Sequence, residues 1–301
     1  MTAHAGLDRR GLWIAIGSFV LWGVMPLYWH LLKAVPSLQI VVHRIVWSAV
    51  LVVAWLVVKH GAGWWRDALA RPRVAGMLAL SGVLIAGNWG LYIWAVNAGH
   101  VVESSLGYFI NPLFNVVIGT LFLRERLRPV QWLSVAIAAL SVVWLTVDFG
   151  RLPWIALVLA TSFALYSLIR KLVAIDSVPG LGVESVYLFL PALAVMLWGE
   201  ANGLGGFGGG WGLQLDLLLI LGGALTALPL IGFAYAVRRV PLSVVGVMQY
   251  IAPTLQFLLG VFVFHEAFDR DRAIGFTGIW IALAVFAADG LLRSRRQVAH
   301  T

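Results

Sequence analysis

The sequence predicts an all-α membrane protein with ten transmembrane helices in two inverted five-helix repeats, and three observations lead there. The chain is 61% hydrophobic and 11% charged, with a mean hydropathy of +0.92, too much apolar surface for one soluble core. Its apolar residues fall into ten runs near the roughly 20 residues that a bilayer core demands. Residues 80–125 recur at 221–266 with a constant offset of 141 and ten identities. These include Gly82/Gly223, Ala95-Val96/Ala236-Val237, Pro112/Pro253, Gly119/Gly260 and Glu125/Glu266. Duplicated halves within a membrane chain are the usual architecture of secondary transporters.

Each run has charged punctuation. The first, about 11–32, follows Arg9 and Arg10; it is too long for a signal-peptide h-region, contains Trp22, Pro26, Tyr28 and Trp29, and lacks a small-residue cleavage site. The second, 38–58, stops at Lys59, and the third, 73–97, follows Arg71 and Arg73 across a loop at 59–72. The fourth, 103–123, ends at Arg124; the fifth, 129–147, follows Arg126 and Arg128. The sixth, 151–170, closes on Arg170 and Lys171, and the seventh, 183–199, precedes a glycine-rich loop at 200–212. The eighth, 213–237, ends at Arg238 and Arg239; the ninth is 242–264, and the tenth, 273–292, stops at Arg293. Several Trp fall near run ends, where an amphipathic indole prefers the headgroup boundary.

The net charge of +8 is an orientation signal. With the N-terminus inside, sixteen Lys and Arg lie in inside segments and four outside, Lys33, Arg151, Arg270 and Arg272. That bias predicts cytoplasmic N- and C-termini in a multi-pass protein of a bacterial inner membrane, and it disperses the basic residues among short loops, against nucleic-acid binding. Five helices separate the two copies of the echo, so the second is upside down. The expected units are 1–148 and 149–301, with Glu125 and Glu266 on opposite sides of the membrane.

Polar residues inside the runs are the chemical candidates, since each needs a partner or a wet cavity. Arg44 lies about six positions into the second run, roughly 9 Å from its outer end, where a planar guanidinium can bind an anionic group; the alternative is snorkelling to the boundary. In the fourth run Ser104, Tyr108, Asn111 and Asn115 share a face, and Gln249 and Gln256 hold the positions equivalent to Tyr108 and Asn115. Asn88 and Tyr92 share a face of the third run. Tyr250 joins the hydrogen-bonding set, and Trp22, Trp29 and Trp47 supply aromatic walls. Pro112 and Pro253, expected near the middles of their helices, are hinge candidates. His43 reads as a structural hydrogen-bonding residue. Glu103, Glu184 and Asp289 fall near run ends, which argues against proton coupling through a buried carboxylate.

Other chemistries are excluded. There are no Cys, no H-E-x-x-H and no G-x-S-x-G. The GxGxxG at Gly203, Gly205 and Gly208 lies in a loop between membrane runs, without the βαβ unit a dinucleotide site requires. No enzyme, metal or cofactor is expected. The expected partners are a small-molecule substrate and the lipid bilayer, with monomer and homodimer equally compatible.

The segments LWGVMPLYWHLL, VVHRIVWS, NWGLYIWAVNAGHVVESSLGYFINPLFNVVIGTLFLRERL and PLSVVGVMQYIAPTLQFLLGVFVFHE closely resemble the RarD branch of the EamA family, in the drug/metabolite transporter superfamily. The resemblance implies two inverted five-helix repeats around a central cavity lined by the first four helices of each, with helices five and ten peripheral. It implies a predicted permease of a branch named for chloramphenicol sensitivity, with no settled substrate. The expectation is a permease of a small polar or amphipathic metabolite or drug working by alternating access; the alternative is a non-transporting sensor or assembly factor.

Overall fold

The computed structural model describes residues 8–123, 129–148, 152–173, 175–237, 239 and 248–299. These residues form eleven helices and no strand. In chain order they are α1 (Arg9–Leu31), α2 (Ser37–His60), α3 (Arg66–Leu69), α4 (Pro72–Asn97), α5 (Val101–Leu123) and α6 (Pro129–Asp148). They continue with α7 (Trp154–Leu172), α8 (Ser177–Ala201), α9 (Leu213–Val237), α10 (Ile251–Phe262) and α11 (Arg270–Ala299). The helix beyond the expected ten is α3, a four-residue turn in the loop after α2. Among the described residues six helices, α1, α2, α4, α6, α8 and α9, are long and apolar enough to cross a membrane. With no water to bond stray backbone groups, the helix is the natural spanning element for such sequences.

Contacts between helix ends define two ends of the bundle. At the end that bears the start of α1, Arg239 after α9 lies 3.9 Å from Asp8, and Arg170 of α7 meets Glu184 of α8. At the opposite, distal end the His30 ring of α1 packs on Phe264 after α10. There Trp144 of α6 also donates to the Asp271 carbonyl of α11, at 3.0 Å.

Two distal carboxylates cap helices across the bundle. Glu266 accepts from Val101 N (2.6 Å) and Val102 N (2.8 Å) at the start of α5, and Glu103 accepts from Ile155 N (3.2 Å) at the start of α7. Each satisfies backbone donors that a helix start leaves open.

The main packing pairs are α1 with α9 and α10, α2 with α8 and α9, α4 with α7 and α8, α5 with α7 and α10, and α6 with α11. Lipid tails are as apolar as side chains, so association rests on close approach, which small residues permit. At Gly107 of α5 an added Cβ would lie 2.9 Å from the Ala156 carbonyl oxygen of α7. At Gly260 of α10 it would lie 2.8 Å from Val102 of α5. One apolar core gathers Trp29, Ile40, Ile45, Ile93 and Leu159, and a second gathers Leu106, Phe109, Phe257, Phe276 and Ile279.

Two elements begin elsewhere than expected. The seventh run was placed at 183–199, but α8 starts at Ser177. Pro179 lies in its first turn, where the missing N–H costs no hydrogen bond, and Gly180 faces the Arg170 guanidinium, which fills the place of a side chain. The ninth run, placed at 242–264, is broken by a turn at 249–250 from which α10 starts at Ile251; its residues 242–247 lie outside the described residues. Pro253 is therefore in a first helical turn, and its ring demands no helical carbonyl at position 249. Pro112 lies inside α5. Glu125, expected to mirror Glu266, lies outside the described residues.

Candidate functional site

The site is built around Arg44, seven residues after the start of α2 and 7% exposed. Its guanidinium lies over two indoles, Trp89 of α4 with 4.2 Å to the ring centroid and Trp29 of α1 with 5.1 Å. Its Nε donates to Thr226 Oγ1 of α9 at 2.7 Å, and the Thr226 hydroxyl donates to the Gly222 carbonyl at 2.8 Å. The Tyr92 and Tyr108 rings, edge to face at 5.5 Å, bring α4 and α5 beside the cation.

Among the described residues no carboxylate lies within ion-pair distance of Arg44. Taking a charge from water costs several kcal/mol. Cation–π contact returns about 2 kcal/mol when desolvated. The five-donor fork of a guanidinium, held by one hydrogen bond, is suited to a carboxylate or phosphate.

The glycine-rich loop covers His43, the residue next to Arg44, on the distal side. Phe207, from that loop, packs at a tilt against His43 with centroids 4.8 Å apart and lies 6.0 Å from Trp47; Trp211 lies 6.2 Å from His43. Glu200 shapes that loop by accepting from Gly206 N and Phe207 N, each at 3.0 Å, and Asp216 accepts from Gly208 N at 2.9 Å. Gly203 and Gly208 have φ of 71° and 87°, the left-handed region. The GxGxxG glycines thus serve a folded cover. A cleft of about 520 Å³ elsewhere is apolar, lined by residues such as Leu21, Met25, Tyr28, Leu225 and Phe264, and excludes Arg44.

Of the predicted site residues, Arg44, Tyr108 and Trp47 gather in this region. Trp47 Nε1 donates to His43 Nδ1 at 3.3 Å, consistent with a structural histidine. Asn88 is buried and ties α4 to α7, its Nδ2 donating to the Leu159 carbonyl and to Ser162 Oγ, both at 2.9 Å, while its Oδ1 has no partner. Asn111 is buried with its Oδ1 unpartnered. Trp22 joins Phe19 and Phe233 in an aromatic cluster, and its carbonyl accepts from Gln256 Nε2 at 3.2 Å. Gln249 is exposed in the turn before α10, and Tyr250 packs on the second apolar core. Trp89 and Thr226 were missed. Trp89 adjoins Asn88, and Thr226 is a hydroxyl in the middle of an otherwise apolar stretch of α9, which was the available signal.

Membrane-length helices enclosing a buried polar centre make a multi-pass membrane protein, and its relatives make it a membrane transporter of the drug/metabolite type. The chain belongs to the EamA-like transporter family, in its RarD branch; that family matches residues 9–147. It is 46% identical to Protein RarD of Streptomyces exfoliatus, covering 97% of this chain and 93% of that protein. It is 44% identical to an uncharacterized transporter of Pseudomonas aeruginosa, covering 96% of each. Identity to Protein RarD of Escherichia coli is 42%, covering 96% of this chain and 97% of that protein. A solved crystal structure, 19% identical, superimposes with a TM-score of 0.60 over 91% of this chain and 96% of its own, a likeness of fold alone.

Proposed function

We propose that this protein is a secondary transporter of a small acid-bearing metabolite or drug, with Arg44 holding the acidic group while two inverted five-helix repeats alternate access to it. The observation that carries the substrate class is the buried guanidinium with aromatic and hydroxyl neighbours in place of a carboxylate. Trp29 and Trp89 grip an apolar or aromatic body, and Tyr92 and Tyr108 bring hydroxyls to its polar groups.

The packing supports the inverted repeat. If α1, α2, α4, α5 and α6 correspond in order to α7, α8, α9, α10 and α11, most major contacts between halves have a mate. The α1–α9 pair matches α7–α4, α2–α9 matches α8–α4, and α1–α10 matches α7–α5; α2–α8, α5–α10 and α6–α11 map onto themselves. Such a two-fold relation gives two related conformations. The placement of Lys and Arg orients the distal end outward, with both termini in the cytoplasm of a bacterial cell.

Thermal unfolding of the purified protein against amino acids, small organic acids and chloramphenicol tests the proposal. An acid that binds the native state raises the apparent stability by about 2.7 kcal/mol at a hundredfold excess over its Kd. The shift is expected in the parent and not in Arg44→Ala. Equal shifts in both, or shifts with neutral compounds alone, would remove Arg44 from the substrate site.

A further inference from the structure

Glu184 was expected near a helix end. Because α8 begins at Ser177, it instead lies seven residues in, roughly 10 Å along the axis, and is 1% exposed. One carboxyl oxygen accepts from Ser81 Oγ of α4 and from Arg170 Nη1 of α7, the latter at 3.3 Å. Tyr166 of α7 faces it as well. The other oxygen, Oε2, is buried and has no hydrogen-bond partner.

The titratable groups around Glu184 among the described residues are Arg170 and Tyr166, both from α7. Ser81 comes from α4, and α2 with its following loop brings the apolar Leu56 and Trp64 against neighbouring Gly182. Arg170 has its own berth, since its guanidinium occupies the space a side chain at position 180 would need. An acid with one oxygen held and one free can exist both as carboxylate and as neutral acid.

A polar seam leads from this acid toward Arg44. Ser81, Asn88 and Tyr92 are spaced i, i+7 and i+11 along one face of α4; Ser162, Tyr166 and Arg170 are spaced i, i+4 and i+8 along α7. Asn88 and Ser162 join the two helices in the middle of the seam. Its unpartnered buried atoms, Glu184 Oε2, Asn88 Oδ1 and Tyr92 Oη, are groups that ordered water commonly satisfies.

We propose that Glu184, with Ser81, Tyr166 and Arg170, is a proton-binding site that couples a proton gradient to movement of the acidic cargo at Arg44. One proton from water at one face converts the carboxylate to the neutral acid and removes the negative partner from the Arg170–Glu184 ion pair. The same proton returns to water at the other face. Both α4–α7 and α4–α8 join the first five long helices to the last five, so the charge state of Glu184 acts where the halves must slide.

The coupling rests on the transporter reading, whereas proton binding stands without it and is measured separately. Infrared difference spectra of the protein in lipid nanodiscs, titrated from about pH 5 to about pH 9, the range that buried carboxyls reach, read the carboxylic C=O stretch. A band that grows on acidification is expected in the parent, in Arg44→Ala and in Glu266→Gln, and in the Glu266→Gln background, which removes the other carboxyl that burial raises, it is lost on adding Glu184→Gln. Ser81→Ala keeps the band with its midpoint at higher pH, because a donor to the carboxylate is gone. A band that survives Glu184→Gln in the Glu266→Gln background, or a parent without a titrating band, would overturn the proposal. In proteoliposomes the acid that best stabilises the parent should exchange through Glu184→Gln but no longer accumulate under an imposed pH gradient. Undiminished accumulation would overturn the coupling; if no acid stabilises the protein, the cargo reading fails and the infrared result still decides proton binding.

Discussion

Gly82 and Gly223 occupy matched places in the echo, yet their surroundings differ. A Cβ on Gly223 would lie 2.4 Å from Trp47 Cβ, 2.6 Å from the Trp47 carbonyl carbon and 2.7 Å from Ser48 N, so α9 touches the α2 backbone. A Cβ on Gly82 would lie 3.6 Å from the Glu184 carbonyl oxygen and from Leu188 Cγ, ordinary contact. Gly223→Ala must therefore push α9 off α2, at an overpacking cost of about 1–3 kcal/mol. Gly82→Ala costs little in this conformation. If the halves alternate, the cost falls on the distally closed state and shifts the equilibrium by roughly 5- to 150-fold toward the other. The chain is free of Cys, so Tyr108→Cys is a clean reporter of access for an impermeant maleimide applied to each face of oriented vesicles. Gly223→Ala should raise labelling from the distal face, and Gly82→Ala, whose cost falls on the opposite state of a symmetric movement, should lower it. No rise, or an equal rise from Gly82→Ala, would refute the inference that the two glycines report opposite states of one symmetric movement.

Three further expectations concern the distal end. Glu266→Ala removes the acceptor for two backbone donors and should cost about 1–2 kcal/mol, the range of a lost helix cap, read by unfolding in mixed detergent and SDS micelles. Burial raises the Glu266 carboxyl above its ordinary value, against the Val102 and Val101 N–H groups and the nearby His100 and Arg272 charges. An acid raised by folding binds its proton more tightly in the native state, so its contribution is complete below the ordinary glutamate value and is lost as pH rises through the raised one. Glu266→Gln should flatten that fall in stability with rising pH; an unchanged slope would assign it to another group. Phe207→Ala removes the ring over His43 and should raise distal labelling of Tyr108→Cys by about 2- to 10-fold, the worth of one aromatic pair. Unchanged labelling would mean that the loop does not cover the site.

Much of the fold was legible because bilayer length is a strong constraint. Arg44 was visible as a lone cation in an apolar run, and the aromatic walls were partly visible through Trp29 and Trp47. What surrounds Arg44 was not, since the approach of Trp89 and Thr226 depends on which faces of α4 and α9 turn inward, and these helices carry little amphipathic signal. Val178-Pro179-Gly180 reads as a loop from composition but forms a helical turn, because proline is tolerated at a helix start and Arg170 fills the glycine's space. That displacement hid the depth of Glu184. The Gln249 stripe assumed a continuous helix across Pro253, whereas the turn at 249–250 leaves Gln249 exposed and Gln256 as the residue reaching α1.

The most direct test of the account is uptake into proteoliposomes of the acid that best stabilises the parent protein, measured for the parent, Arg44→Lys and Arg44→Ala at matched insertion. Truncating one partner of a buried charge pair costs about 2–5 kcal/mol, at least roughly 30-fold in affinity. The half-saturating concentration should rise by that factor or more in Arg44→Ala, and by less in Arg44→Lys, which keeps the charge and loses the planar fork. Uptake by Arg44→Ala with the parent's concentration dependence would contradict the claim that this guanidinium holds the cargo.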